Sequence, residues 1–247
     1  MVSEHQVLLV DVGNSRIKVI QLRDVSIDCE PASVASTEEL INLIKNIPVT
    51  NIFFASVRDD AAMQPLLSYC QREGINLQNI QAEKHAFGIT NSYRDVSKMG
   101  ADRWLAMVGA AQLTELPFAV IHMGTAITCD FVINGCHEGG WITPGFYVMR
   151  DALISRTKRV TANDFLPGEL SGGKNTEDCV NYGCLAAVRG VYLSAIDYLS
   201  SKQSEFDVII GGGDKNMLAF SELNGSILSA NLVVHGLARY AKSVLFV

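Results

Sequence analysis

The stretch "VLLVDVGNSRIKVIQL", residues 7–22, decides the fold. It opens on four apolar residues, Val7 to Val10, and reaches an acid at Asp11. It then passes Gly13, Asn14 and Ser15 and resumes an apolar run at Ile17. That pattern predicts a buried strand, a tight turn and a second strand folded back on the first. Further along, "AVIHMGTAITCDFVI", residues 119–133, has the same shape. Aligning Gly13 with Gly124 sets Asp11 against His122 and Asn14-Ser15 against Thr125-Ala126. Identity between the two stretches is low, so what they share is geometry.

A strand that ends in a glycine turn and folds straight back exposes several backbone N–H groups at one point. Glycine there permits unusual φ angles and lets a ligand approach the backbone closely. Asn14, Ser15 and Thr125 add polar side chains, and Arg16 and Lys18 add positive charge, which together make a phosphate cradle. Asp11 at the strand end is placed to hold a hydrated Mg²⁺ beside the phosphates. One such turn alone reads as an ordinary hairpin; two in matching positions, one carrying Asp and Lys, favour phosphate. A third glycine turn, "VIIGGGD" (208–214), offers a flat surface free of side chains that suits a planar nucleoside. "GELSGGKN" (168–175) has the glycine and lysine spacing of a P-loop, but Asn175 stands where the Mg²⁺-binding hydroxyl belongs and no buried strand precedes it.

The rest of the chain fills in two α/β halves. "STEELINLIKNI" has Ser36 and Glu39 at capping-box spacing and reads as a helix. "NIFFASV" (51–57) is a short strand, and "AAMQPLLSYCQREG" is a helix closed by Gly74 with Pro65 in its first turn. "GADRWLAMVGAAQL" is a helix with Asp102 and Arg103 in its first turn, where a carboxylate is stabilised by the dipole. The pattern then restarts. "FAVIHMG" and "AITCDFVI" are strands, Asn134-Gly135 marks a hairpin, and "CHEGGWI" returns. Thr143 is placed to cap a helix with Pro144 at its first position, a long helix follows Thr176, and "FDVIIGGGD" and an amphipathic helix end the chain. The expected architecture is α/β, two similar domains spanning 1–116 and 117–247, with a ligand cleft between them.

Composition narrows the function. The chain has 247 residues, 48% of them hydrophobic, and a formal net charge of −6, so it carries no basic footprint for nucleic acid. No run of 18 apolar residues occurs, so neither a spanning helix nor a signal peptide is expected. Six cysteines without a C-x-x-C pair read as reduced thiols in a cytoplasmic protein. His122, Cys129, Cys136 and His137 lack zinc-ligand spacing, so no protein-held metal site is expected. Beside a two-turn phosphate site, an Asp-Arg pair such as Asp102 and Arg103 is what alcohol phosphorylation needs. The carboxylate accepts the hydroxyl proton, and the guanidinium holds an anion.

These residues resemble the type III pantothenate kinases, of the superfamily that includes acetate kinase, sugar kinases and actin, whose domains are ribonuclease H-like. "DVGNSRIK" is similar to that family's D-x-G-N-[ST]-x-x-K phosphate loop, and "NSYRDVSKMGADRW" to its N-x-Y…L-G-x-D-R-W segment. "HMGTAITCD", "GGWITPG", "KNTED" and "GGGD" also match in order. The resemblance implies that ATP is bound by Asp11, Val12, Gly13, Asn14, Ser15, Arg16, Ile17, Lys18 and Thr125. It implies that Tyr93, Gly100, Ala101, Asp102, Arg103 and Thr176 bind pantothenate, with Asp102 the catalytic base. It further implies Mg²⁺ with ATP, an activating K⁺ or NH₄⁺, and a homodimer with the substrate site at its interface. Ser15, Met99 and the absence of a Pro after Tyr93 depart from the family pattern. So does His122, which stands where many members have the Asp that holds the monovalent cation. Two other readings are a non-catalytic nucleotide-binding regulator of the same fold and a kinase for another small alcohol.

Overall fold

The computed structural model describes residues 3–26, 29–58, 60–158, 161, 163, 165–218, 226–229 and 231–246. The chain separates into two units, Met1–Glu115 with Asn231–Val247, and Leu116–Ala230. In the first, the opening stretch forms strands β1 (Val7–Val12) and β2 (Ile17–Gln21), joined antiparallel with Asp11 opposite Lys18. With β3 (Ala32–Val34), β4 (Asn51–Ser56) and β5 (Asn76–Asn79) they make a sheet of order β3-β2-β1-β4-β5, in which β1, β4 and β5 run parallel. Leu8, Val10 and Val12 share a core with Leu40 and Ile44 of helix α1 (Thr37–Ile44) and Met63 and Leu66 of α2 (Asp60–Glu73). Strand side chains alternate between faces, so Val7, Leu9 and Asp11 lie on the other side of the sheet.

The second unit repeats this plan. Strands β8 (Phe118–Met123), β9 (Ala126–Ile133), β10 (Cys136–Pro144), β11 (Asp207–Gly211) and β12 (Ser226–Leu228) lie in the order β12-β11-β8-β9-β10. The first strand pairs antiparallel with the second and parallel with the fourth, as in the first unit. Ala119, Ile121 and Met123 pack into a core with Leu185, Val188 and Leu199 of α5 (Thr176–Ser200). They correspond to Leu8, Val10 and Val12 when Gly13 is aligned on Gly124. Asn134 (φ 50°) and Gly135 (φ 72°) form the predicted hairpin turn. By length and composition α5 is apolar enough to cross a membrane. Its buried residues instead form a stripe in the core of this unit, and Arg189 and Asp197 lie along the helix.

Local signals hold where they are strongest. Ser36 Oγ accepts the Glu39 N–H at 3.2 Å, and the Glu39 carboxylate reaches back to the Ala35 N–H at 2.9 Å, so the capping box closes one residue early. Gly74 has φ 69° and Ile75 N–H bonds back to Cys70, closing α2. Two expectations fail. Helix α2 begins at Asp60, so Pro65 sits in its second turn, on the exposed face where water can replace the missing backbone bond. Thr143 caps nothing: β10 continues through Pro144, which pairs with Ala126, and helix α4 (Phe146–Arg156) starts after Gly145. The cause is Gly145, whose N–H donates to Thr125 O at 2.9 Å. Its ideal Cβ would meet Gly124 O at 2.0 Å, so the chain is clamped to the β8–β9 turn before it can coil.

The last helix, α6 (Leu232–Leu245), packs in the first unit against α3 (Ala101–Ala110), and not in the second half, where sequence order puts it. The crossing is made by two glycines. A Cβ on Gly109 would lie 2.2 Å from Leu232 O, and one on Gly236 would lie 2.3 Å from Leu105 O. Trp104, fully buried on α3, donates its indole N–H to Tyr240 of α6 at 2.8 Å, and the Tyr240 hydroxyl bonds Glu83. Phe87, in the turn between β6 (His85–Ala86) and β7 (Ile89–Thr90), packs edge-on to Tyr240.

Gly109→Ala and Gly236→Ala should each lower the stability of the protein by about 2–3 kcal/mol, the cost of forcing apart a packed backbone contact. Denaturant unfolding of both single variants and the double variant checks this. Because they widen the same crossing, the double variant should lose less than the sum of the two.

Candidate active site

The β1–β2 turn is closed by a bond from Gly13 N–H to Arg16 O at 3.0 Å. Neither Gly13 nor Gly124 has the positive φ that the sequence reading allows; positive values occur at Gly74, Gly88, Gly135, Gly139 and Gly212 among the described glycines. At Gly13 the constraint is space, since a Cβ would sit 3.2 Å from Arg16 O; at Gly124 nothing lies within 4 Å, so that backbone is open to a ligand. Asn14, Ser15 and Arg16 are exposed at the tip. Val12 and Ile17 bury their side chains in the core, so only their backbone is left for any ligand.

Asp11 lies on the sheet face opposite to that core, and three charged groups interact there. Burial pushes the Asp11 carboxyl up to about 6, Lys18 across the ladder pulls it down, and the negative charge of Asp102 pushes it further up. Asp102 stands in the first turn of α3, and its Oδ1 accepts the Arg103 N–H at 2.9 Å across the helix end. Gly100 caps this helix, and a Cβ there would meet Asp102 Oδ1 at 2.5 Å, so the glycine makes room for the carboxylate. Lys18 Nζ donates to Asn231 Oδ1 at 3.4 Å, and Asn231 donates to Cys29 O at 2.6 Å, fixing the lysine from the start of α6.

Arg103 is only 6% exposed and donates to the Tyr93 hydroxyl at 2.7 Å, with its guanidinium 5.7 Å from the ring centre. The loop that carries Tyr93 is clamped by Asn91, which is wholly buried. Its Oδ1 accepts Tyr93 N–H at 3.0 Å, its Nδ2 contacts Met99 Sδ at 3.1 Å, and its carbonyl accepts Lys84 Nζ at 2.7 Å. Met99, one of the residues that depart from the family pattern, thus holds this loop through its sulfur. In the second unit, Thr125 is exposed on the β8–β9 turn, and His122 pairs with Thr128 and with Gly211. Gly212, with φ 94°, packs on Met123 O, and Asp214 N–H bonds Met123 O at 3.2 Å, tying the third glycine turn to the second. Gly213 of that turn keeps open space around it. Thr176 is exposed at the first position of α5, behind the Asn175 cap.

The first unit therefore brings Asp11, Lys18 and Asp102 into one electrostatic neighbourhood and joins Tyr93 to Arg103. Thr125 and Thr176 belong to the second unit. Sequence reasoning misses Asn231 and Arg58. Arg58 donates to Gly13 O at 2.8 Å and to Asn14 O at 3.2 Å from beyond the end of β4. No local pattern announces either one, because each acts through a long-range contact.

The family model of type III pantothenate kinase matches residues 7–197 of this chain. The type III pantothenate kinase of Pseudoalteromonas atlantica is 36% identical over 97% of this chain and 99% of its own length. That of Azotobacter vinelandii is 32% identical over 85% and 88%. Among solved structures, a Campylobacter jejuni protein assigned to the Baf family of transcriptional activators superposes with a TM-score of 0.65 at 19% identity, covering 96% of this chain and 98% of its own. MreB5 of Spiroplasma citri, bound to ADP, superposes at 0.53 and 10% identity over 98% of both chains. These likenesses give the fold: two α/β units of the actin-like ATPase type.

Since the folded protein holds the Asp11 proton more tightly than the unfolded chain does, stability falls as pH climbs from about 4 through about 6 and stays lowered above that. Asp11→Asn removes the cost. The ligand-free variant should exceed the parent by about 1–3 kcal/mol at pH 8 and by almost nothing near pH 4. Urea unfolding at both pH values checks this, and an equal difference at the two would contradict the assignment.

Proposed function

The chain belongs to the type III pantothenate kinases, which phosphorylate pantothenate with ATP on the way to coenzyme A, and we propose how its residues divide that work. The observation that carries the reading is the meeting of Asp11, Lys18 and Asp102 within one unit. The N–H groups of the turn at Asn14, Ser15 and Arg16, with Lys18, bind the ATP phosphates; Gly13, whose own N–H is held by Arg16 O, lets them approach the backbone, and Thr125 is a further ATP-binding residue. Asp102 accepts the proton of the primary hydroxyl of pantothenate as that oxygen bonds the γ-phosphorus. The bond from that phosphorus to the bridging oxygen breaks, and ADP and 4'-phosphopantothenate leave. Gly100 and Ala101 shape the loop, Tyr93 and Thr176 orient the substrate, and Arg103, whose guanidinium already holds Tyr93, meets the pantothenate carboxylate.

Mg²⁺ fits this donor set. In kinase sites it keeps several waters and takes one or two carboxylates besides the phosphates, and Asp11 is a desolvated carboxylate beside the phosphate turn. When bound, it neutralises charge on the transferring phosphates. His122 does not fit a monovalent cation in the same way. K⁺ prefers oxygen ligands, and an imidazole nitrogen is a poor one, so this chain turns over without K⁺ or NH₄⁺. We also read the protein as a cytoplasmic homodimer. What supports the pairing is apolar surface on the second unit: Ile142 on β10 is 64% exposed, and Tyr147, Val148 and Leu153 of α4 are exposed as well.

ADP formation from MgATP should depend on added pantothenate. Nucleotide binding without pantothenate-dependent turnover would favour a regulatory protein instead. Asp102→Asn should lower kcat by about a hundredfold or more while MgATP still binds, as seen by titration calorimetry. His122→Asp should make the rate respond to K⁺ where the parent, assayed in a bulky organic cation, does not. Equal rates with and without K⁺ in that variant would rule out this account of the position.

A further inference from the structure

We infer that Arg58 is a positioning residue for the phosphate turn, acting from behind it. Strand β4 runs parallel to β1, and Val57 N–H bonds Val12 O at 3.1 Å, so the two strands end side by side. Just beyond, Arg58 N–H donates to Ser56 Oγ at 3.1 Å, which folds the residue back over the end of β1. Its Nε then donates to Gly13 O at 2.8 Å and one terminal nitrogen to Asn14 O at 3.2 Å. A guanidinium is suited to this, because its fixed fork meets two acceptors at once and its charge does not titrate away.

The consequence follows from peptide planarity. In a trans peptide the C=O of one residue and the N–H of the next point in opposite directions. Pinning the carbonyls of Gly13 and Asn14 to Arg58 therefore aims the N–H groups of Asn14 and Ser15 away from it. Two successive backbone N–H groups aimed the same way are an anion-binding concavity. Without Arg58 those peptides can rotate, and two carbonyl oxygens can turn towards the phosphates. Lysine cannot reproduce the effect, since its ammonium is a single point on a flexible stem. The side chain also borders a cavity of about 320 Å³ lined by Phe54, Ser56, Met63, Leu77 and Asn79, so truncation leaves a hole that connects to existing space.

This inference rests on the reading of residues 11–18 as the ATP phosphate site, and the test separates the two. In Arg58→Ala, KM for MgATP should rise about tenfold or more, the cost of about 1.4 kcal/mol of lost orientation. KM for pantothenate and the melting temperature should stay close to the parent. Guanidinium chloride at millimolar concentration should restore the KM of this variant and leave the parent unchanged, a response that a purely structural arginine would not give. Arg58→Lys should keep the fold, raise the MgATP KM and resist rescue; it carries the test if the alanine variant does not fold. An unchanged MgATP KM, or a lowered melting temperature with both KM values shifted alike, would overturn the inference. Lys18→Ala is the control. If it too leaves the MgATP KM unchanged, the phosphate-site reading has failed; if it raises that KM and the Arg58 variants do not, only the role of Arg58 has.

Discussion

The close contact of α3 and α6 sets where the chemistry sits. Each helix offers a leucine and, four residues on, a glycine: Leu105 and Gly109 on one, Leu232 and Gly236 on the other. Each glycine rests against the carbonyl of the opposite leucine, so the two backbones touch with no side chain between them. The N-terminus of α3 carries Asp102, and the residue before α6 is Asn231, the partner of Lys18. The geometry of one crossing is thereby passed to both charged groups that stand beside Asp11. Further along, the Trp104–Tyr240–Glu83 chain of hydrogen bonds holds the helices against sliding.

The five strands β1 to β5 and the five strands β8 to β12 have one topology and unequal chemistry. In both, the even positions of the first strand pack into a core, which frees the odd position at the strand end: Asp11 in one, His122 in the other. The side chain there belongs to neither core, so the pattern of strand, turn and strand does not dictate which residue it is. This is why the fold could be read from two short stretches while the cation chemistry could not. The pattern of apolar residues and glycines specifies strand, turn and strand.

Other features were legible to the degree that they are local. The capping box at Ser36, the turn at Asn134-Gly135 and the first-turn position of Asp102 each depend on residues within a few places of one another. Thr143-Pro144 looked equally local and misled, since strand pairing to Ala126 and the clamp at Gly145 override a favourable helix start. The docking of α6 on the first unit, the bond from Asn231 to Lys18 and the reach of Arg58 to Gly13 are contacts across tens or hundreds of residues. A single sequence holds no signal for them. The glycines are an intermediate case: their positions are visible, but the reason for Gly13 and Gly145 is close approach, with no left-handed backbone involved, and a Cβ on Gly124 would meet nothing within 4 Å.

Asp11 shows why the site is arranged at a cost. A carboxylate on a central strand loses its hydration, and Lys18 repays only part of that loss, because Asp102 adds a second negative charge nearby. A protein selected for stability alone would place an apolar residue there, as it does at Val7 and Leu9 on the same face of the strand. The two acids are compatible with one another mainly when something positive stands near them. Lys18, held in place by Asn231, is the cation that pulls the Asp11 carboxyl down against its burial. On the function proposed above, the anion meets the turn and the lysine and its counter-ion meets the acids, so the two would bind together more readily than either alone.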